Sequence, residues 1–286
     1  LLERNIFRRN NVEQITGYYP AAVKIFNQSY RVTCRDNLVL EQPDSNGIWY
    51  DVGNVDGVFV NNWIEGALDG FFFEISKGAI CAGNVFVGCD KGIRVLNSSN
   101  VRVYHNTLVN TPASFERNAR SATGDHFGWH PATGPDVDER EGHVFVGNLL
   151  VADESFSGAL LRFEQPPSLC GRLTSPQARE IDGNVYVRRG GGERPLVVWS
   201  PVTGERCQLD LASLEELRRL RPELERRSLY LGDYVGAFFK SPELSRYELA
   251  RSLPVSLAGL VPDEIRRLLG WKKRDPGVPG AYQLRR

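Results

Sequence analysis

The sequence of 286 residues has no methionine, only four histidines and no excess of charge of either sign. Lys and Arg number 35 and Asp and Glu number 35, so the chain lacks the basic surplus of a dedicated nucleic-acid-binding protein. It also lacks any apolar run near the roughly 20 residues of a membrane-spanning helix. We therefore expect neither nucleic acid nor a membrane as a partner. The chain begins at Leu1 without an initiating methionine, so the lack of an export leader does not exclude secretion.

Cysteines are few, and their spacing forms no CxxC pair. The five are Cys34, Cys81, Cys89, Cys170 and Cys207. An odd number without close pairs favours neither a disulfide framework nor a structural zinc site. We therefore expect buried thiols and no bound metal.

One short pattern recurs along the chain, an asparagine followed by any residue and then hydrophobic residues. It occurs at Asn37, Asn62, Asn84, Asn106, Asn148 and Asn184. The interval is 22 residues in the two steps between Asn62 and Asn106, and it is longer elsewhere. Short alternating strands such as VRVYHN and HVFVGN lie between these positions, without a helical period. A unit this short cannot bury its own apolar face, so successive units must stack, with loops inserted into the longer ones.

This spacing predicts an all-β fold, a right-handed parallel β-helix solenoid with coils of about 22 residues, over residues 1–205. An inward asparagine in each coil should stack on its neighbours as a hydrogen-bonded ladder. Because NIFRRNNVEQ starts inside a coil, we also expect residues or a further domain upstream of Leu1.

Residues 206–286 lose the repeat and predict a small helical or irregular C-terminal extension. Leucines at helical spacing in 211–228, interrupted by Pro222, predict one or two amphipathic helices. A further short helix is predicted in 262–271, beginning at Pro262 and Asp263. An open end of a β-helix would expose strand edges, so we expect these helices to pack on its side or to close its C-terminal end.

The repeats over about residues 1–200 resemble the pectin-lyase-like family of right-handed parallel β-helix proteins. The segment GNVFVGCDKGIRVLNSSNVRVYHNTLVN, residues 83–110, is the most typical part, and GVPGAYQ, residues 277–283, is similar to the tails of many secreted members. The family includes polysaccharide lyases, glycoside hydrolases, esterases, epimerases and non-catalytic tail proteins. The resemblance implies a carbohydrate-active protein that is secreted or periplasmic.

Four strands of the repeat, VKIFN, IWYDV, FFFEI and IRVLN, align when each is placed after Ala22 or a glycine. Side chains alternate across a strand, so one face of these strands is nearly all apolar and must be the interior. That face holds Val23, Ile25, Ile48, Tyr50, Val52, Phe71, Phe73, Ile75, Ile93 and Val95. A second interior column stands three residues before each asparagine, at Cys34, Phe59, Cys81, Val103 and Phe145.

The opposite face of the aligned strands holds two columns. One contains Lys24, Trp49, Phe72 and Arg94, and the other contains Phe26, Asp51, Glu74 and Leu96. Neighbouring coils lie about 4.8 Å apart, so Asp51 and Glu74 should be close on the outer surface, where like charges raise one of the two pKa values. We expect Trp49 and Phe72 to be exposed and to stack on sugar rings, with Lys24 and Arg94 on either side. The alternative is a solvated face of the solenoid that has no function.

One coil is enlarged by an insertion at 119–142, which contains His126, Trp129 and His130. Its aromatic content predicts an ordered loop that lies along the outer face near Arg94 and forms one wall of a substrate groove. An HxxxH pair can bind metal on a helix, but Gly128 and Pro131 make that helix unfavourable. The alternative is a packed loop without a role in binding.

Three functions fit these residues. The leading hypothesis is a glycoside hydrolase that degrades a polysaccharide, with Asp51 and Glu74 as the catalytic pair and no cofactor. In a polysaccharide lyase, the same acids would hold Ca²⁺ against a uronate, and Lys24 or Arg94 would abstract the proton or neutralise the carboxylate. The third is a non-catalytic solenoid that binds glycans.

Overall fold

The fold is built from three parallel sheets, and each coil of the chain adds one strand to each sheet in turn. This computed structural model describes residues 1–120, 139–190, 194–255, 257, 259–271 and 278–281. Its topology is that of a right-handed parallel β-helix, which confirms the predicted fold class.

Sheet A contains β1 (Leu2–Glu3), β4 (Thr33–Arg35), β7 (Val55–Val60), β10 (Lys77–Ala82), β13 (Ser99–Tyr104), β16 (His143–Val146) and β19 (Ala178–Asp182). Sheet B contains β2 (Ile6–Arg8), β5 (Leu38–Leu40), β8 (Trp63–Glu65), β11 (Val85–Val87), β14 (Thr107–Val109), β17 (Leu149–Ala152), β20 (Val185–Arg188) and β23 (Leu229–Leu231). Sheet C contains β3 (Ala21–Phe26), β6 (Asn46–Asp51), β9 (Asp69–Glu74), β12 (Lys91–Leu96), β15 (Ala113–Glu116), β18 (Leu161–Glu164), β21 (Val197–Trp199) and the antiparallel β22 (Leu209–Leu211). A separate antiparallel pair comprises β24 (Phe239–Ser241) and β25 (Arg246–Leu249).

The register of sheet C is the one that the sequence alignment predicts. Trp49 pairs with Lys24 on one side and with Phe72 on the other, and Asp51 pairs with Glu74. Phe72 in turn pairs with Arg94. A shift by one residue would turn the whole apolar column of a strand towards solvent, so burial fixes this register.

The interior is a single apolar core that runs along the solenoid. It includes the aromatic and aliphatic side chains of the inward faces of all three sheets, and the predicted column from Cys34 to Phe145 lies within it. Val52 and Ile75 are buried as predicted, but they form a separate small cluster. Both have a left-handed backbone, with φ of 40° and 43°, because the chain turns there from sheet C towards sheet A.

The predicted asparagine ladder is present. In each step, the side-chain oxygen of one asparagine accepts hydrogen bonds from both the backbone N–H and the side-chain amide of the preceding one. For example, Asn106 Oδ1 lies 3.0 Å from Asn84 N and 2.9 Å from Asn84 Nδ2. The ladder comprises Asn5, Asn37, Asn62, Asn84, Asn106, Asn148 and Asn184.

The ladder ends on a buried carboxyl group. Asn184 Nδ2 donates to Glu225 at 3.3 and 3.4 Å, and the hydroxyls of Tyr186 and Ser228 also donate to Glu225. The backbone N–H of Asn184 donates to the Ser228 hydroxyl at 2.8 Å. Ser228 and Glu225 together therefore occupy the place that the next asparagine would take.

The two described helices pack against different parts of the solenoid. Helix α1 (Leu214–Leu220) begins at Ser213, whose hydroxyl accepts from Glu216 N, and its buried leucines join the main core. It is shorter than the leucine pattern, since it ends before Pro222. Helix α2 (Asp263–Leu268) packs Ile265 against the outer face of sheet A. No described helix is long and apolar enough to cross a bilayer.

The expectation that the cysteines are all thiols is wrong for two of them. Cys170 and Cys207 form a disulfide with a Cα–Cα distance of 6.1 Å, within the ordinary range. Their separation of 37 residues conceals the pairing in the sequence, because loops bring them together only after the coils have stacked. Cys34, Cys81 and Cys89 are buried free thiols, as expected.

Removing this disulfide should lower the free energy of unfolding by about 3 kcal/mol, because the bond restricts the unfolded chain. The measurement is urea denaturation of wild type and a Cys170→Ser, Cys207→Ser double variant. Replacing the buried free thiol Cys89 by Ala serves as a control for loss of a cysteine. Equal midpoints for the double variant and wild type would contradict the expectation.

Candidate carboxyl-pair site

The site is built from the last residues of two neighbouring strands of sheet C. Asp51 ends β6 and Glu74 ends β9, and the two are register partners. Gly47 and Gly70 precede them at the same offset because the backbones approach closely there: a Cβ on Gly47 would lie 2.6 Å from the Gly70 carbonyl oxygen. The matched glycines and acids therefore follow from one repeated strand geometry.

Asp51 and Glu74 lie on the outer side of sheet C, but they are not exposed as expected. The relative exposure is 4% for Asp51 and 0% for Glu74. Asp51 Oδ1 and Glu74 Oε2 are buried and accept no hydrogen bond from any described residue. Two carboxylates on adjacent strands repel each other, and this repulsion favours the protonated form of one of them.

Three side chains enclose this carboxyl pair. Lys24 Nζ lies 2.9 Å from Asp51 Oδ2. The Tyr18 hydroxyl donates to Glu74 Oε1 at 2.6 Å, and Arg120 Nη1 lies 2.5 Å from the same oxygen. Tyr18 belongs to the connection that enters sheet C at β3, and Arg120 belongs to the connection that leaves sheet C after β15.

The pKa of Glu74 is raised to about 7. Burial is the largest cause, and the neighbouring Asp51 carboxyl adds to it, while the hydrogen bond from Tyr18 and the charge of Arg120 oppose it. Glu74 therefore keeps a proton to near-neutral pH, which is the behaviour of a general acid.

The raised pKa predicts that Glu74 makes stability depend on pH. Since its folded pKa of about 7 exceeds the ordinary 4.5, its contribution is complete below about pH 4.5 and is lost as the pH rises through 7. The free energy of unfolding of wild type should therefore fall between pH 5 and pH 8. Glu74→Gln should reduce this fall by on the order of 2 kcal/mol, because the amide can donate to Asp51 without titrating. The measurement is urea denaturation at pH 5 and pH 8.

Glu225 has a similarly raised pKa of about 7, caused mainly by burial, so wild type has two sources of this pH dependence. Only the difference between wild type and Glu74→Gln reports on the pair. An identical change between pH 5 and pH 8 in both proteins would contradict the assignment.

Trp49 and Phe72 are not exposed platforms for sugar rings, contrary to the sequence prediction. Both are buried, and their rings stack on each other at 4.9 Å with an interplanar angle of 16°. Lys24 Nζ lies 3.8 Å from the Trp49 ring centroid, and the Arg94 guanidinium lies 4.7 Å from that of Phe72. The parallel register stacks this column face to face, and Tyr18 packs edge-on against both rings.

Arg94 is a member of an ion-pair network and does not contact the carboxyl pair. Its guanidinium lies 2.9 Å from Asp69 and 3.1 Å from Glu116. Burial alone would lower the pKa of Arg94, but these two carboxylates raise it above its ordinary value. Arg94 therefore stays charged and holds the end of the aromatic column.

The insertion is described only at its two ends. His126, Trp129 and His130 lie outside the described residues, so their predicted role in binding stays a prediction. Arg120, at the first end, contacts Glu74. His143, just after the insertion, is a core residue, because its ring packs 5.0 Å from that of Phe115 and burial lowers its pKa to about 3.

Tyr18 and Arg120 are the two site residues that the sequence analysis missed. Tyr18 lies outside the repeat, and only the adjacent aromatic pair with Tyr19 marks it. The position of Arg120 at the start of the insertion could have identified it, since the chain leaves sheet C there. Neither column of the aligned strands could have revealed these two, because both residues come from connections.

The carboxyl pair does not fit a calcium ion. No group of three or more potential metal ligands occurs among the described residues. Lys24 and Arg120 already occupy one oxygen each of Asp51 and Glu74, whereas Ca²⁺ requires several free oxygen ligands.

Two cavities are relevant to the position of the site. The larger, of about 620 Å³, lies on the outer face of sheet A between Arg31, Arg102 and Arg179, far from the pair in the topology. The other, of about 570 Å³, is lined by Tyr18 itself and by its neighbours in the chain. Only the second adjoins the carboxyl pair.

A family model described as a right handed beta helix region matches residues 1–108, which include Asp51 and Glu74. A search of curated proteins and a search of solved structures found no match.

Proposed function

We propose that this protein is a glycoside hydrolase in which Asp51 and Glu74 are the catalytic pair. The observation that carries the proposal is that two buried carboxyl groups from adjacent coils are register partners, and that Asp51 Oδ1 and Glu74 Oε2 have no hydrogen-bond partner among the described residues. Glycoside hydrolysis requires two carboxyl groups in different protonation states. A purely structural pair of acids would be better paired with cations on every side.

The two acids have different surroundings, and these suggest their roles. Glu74 retains the proton and would donate it to the glycosidic oxygen of the leaving group. Asp51, whose charge Lys24 balances at 2.9 Å, would attack the anomeric carbon or activate water. Adjacent strands lie about 4.8 Å apart, nearer to the roughly 5 Å between carboxyl groups in retaining enzymes than to the larger distance in inverting ones.

The enclosed pair is a closed arrangement, and a sugar must separate the two carboxyl groups to react. Displacement of Tyr18 and Arg120 would open the site, because both occupy Oε1 of Glu74 and both are only partly buried. The strands that carry Asp51 and Glu74, β6 and β9, are held in place by their inward side chains, which belong to the main core.

The lyase alternative is less well supported. Calcium does not fit the pair, and Arg94 is charged and held by two carboxylates, so it is a poor base for proton abstraction. Lys24 is already paired with Asp51.

We also propose that the protein is secreted or periplasmic. The Cys170–Cys207 disulfide supports this, since such bonds persist in oxidising compartments.

The test is a screen on a panel of plant and algal polysaccharides, with and without EDTA, that follows reducing ends and ultraviolet-absorbing unsaturated ends together. We expect reducing ends that form in EDTA. Unsaturated ends that depend on a divalent cation would support the lyase instead. Binding without any product would favour a non-catalytic glycan-binding solenoid.

A further inference from the structure

The cavity beside the carboxyl pair is lined entirely by uncharged residues. It lies between the connection from β2 to β3 and the start of β6, with a volume of about 570 Å³, in the range of small-molecule sites. Its walls include Asn10, Asn11, Thr16, Tyr18, Tyr19 and Ser45. Amides, hydroxyls and two phenol rings are groups that suit the hydroxyls and apolar faces of a sugar.

Tyr18 is the wall that the cavity shares with the carboxyl pair. Its ring lines the cavity, while its hydroxyl donates to Glu74 Oε1 at 2.6 Å. The Tyr19 ring lies 5.8 Å from it at 87°, and Tyr19 is 66% exposed. A ligand in the cavity is therefore one side chain away from Glu74.

Hydrogen bonds of Asn11 fix the base of the connection between β2 and β3. Asn11 is buried and bonds Ile15 through both its amide and its carbonyl, and it also donates to the Pro43 carbonyl at 2.9 Å. Gly17 has φ of 115°, a conformation that favours glycine, and a Cβ there would meet nothing within 4 Å. The turn at Gly17 presents Tyr18 and Tyr19 to sheet C.

We infer that this cavity is a subsite for a neutral sugar residue of the substrate, with Tyr19 as its aromatic contact and Tyr18 as the movable wall towards the carboxyl pair. The inference rests on the proposed hydrolase function and adds the substrate class. A uronate would require a cation in the wall, and no charged residue lines this cavity. Lys24, whose Nζ lies 5.2 Å from the Tyr19 ring centroid, is paired with Asp51 at 2.9 Å.

The experiment measures binding by calorimetry in the Glu74→Gln protein, so that cleavage does not interfere. The probes are neutral xylo-, manno- and gluco-oligosaccharides and oligogalacturonates of equal length. We expect a neutral series to bind, and Tyr19→Ala to weaken that binding about 10-fold or more, as expected for one stacked ring. Tyr30→Ala is the matched control, since Tyr30 is similarly exposed at 59% but lies outside the cavity.

Absence of neutral-sugar binding, preferential binding of oligogalacturonates, or equal affinity in Tyr19→Ala would each overturn the inference. Tyr19→Phe, which keeps the ring, should restore most of the affinity and excludes misfolding as the cause. Neutral binding that depends on Tyr19 without cleavage by wild type would uphold the subsite and refute the hydrolase. Cleavage by wild type together with unaltered binding in Tyr19→Ala would support the hydrolase and refute the subsite.

Discussion

Replacing Glu74 with Gln should lower kcat on a natural glycan by about 10²–10⁴-fold, the usual contribution of a general acid. The reason is that a glutamine in this position can accept from Tyr18 and donate to Asp51 but cannot give a proton to the leaving oxygen. On an aryl glycoside whose leaving group needs no protonation, the same variant should lose far less of the first chemical step. The measurement is a comparison of kcat/KM, which reports the first chemical step, for the two substrates.

Asp51→Asn should behave differently, with a large loss of activity on both substrates, because Asp51 attacks or activates water in each case. Glu164→Gln is the matched control, since Glu164 belongs to the same outward column of sheet C but pairs with Arg162. Equal losses in all three variants would indicate general damage to the sheet. Full activity in Asp51→Asn would refute the assigned catalytic pair.

Replacing Asn106 with Ala should lower the free energy of unfolding by about 4 kcal/mol. Asn106 is fully buried in the middle of the ladder, so its loss removes the acceptor of Asn84 N and Nδ2 and the donor to Asn148 Oδ1. Each buried polar group that is left without a partner costs about 1–3 kcal/mol. Urea denaturation with a constant m-value is the measurement.

Asn5→Ala is the control for the ladder, because Asn5 has the same role but only one asparagine neighbour and is partly exposed. We expect a loss of about 1 kcal/mol there, the contribution of a typical hydrogen bond. Equal destabilisation by the two changes would show that the ladder does not gain from burial.

Much of the fold could be predicted because its signals repeat. The asparagines define the coils, and alternation within IWYDV and FFFEI fixes both the register and the inward faces. The pairs Trp49–Phe72 and Asp51–Glu74 follow from this alignment alone. The disulfide could not be predicted, because Cys170 and Cys207 lie in connections whose course does not follow the repeat.

The environment of the site was less predictable than its position. Alternation shows that Trp49 points outward, but it does not show that Tyr18 covers it or that Lys24 stacks upon it. The outer face was therefore expected to be open, whereas residues from both flanking connections bury the carboxyl pair. A strand repeat carries no information about the loops that fold back over it.

The end of the asparagine ladder has a consequence for the length of the protein's regular part. An asparagine at the last position would have a side-chain N–H group that needs an acceptor from a further coil. Glu225 accepts the amide of Asn184, and a carboxyl group has no N–H with which to continue the series. Glu225 and Ser228 together thus end the ladder at Asn184, and beyond them sheet B alone gains a further strand, β23, in the part of the chain that the structure describes.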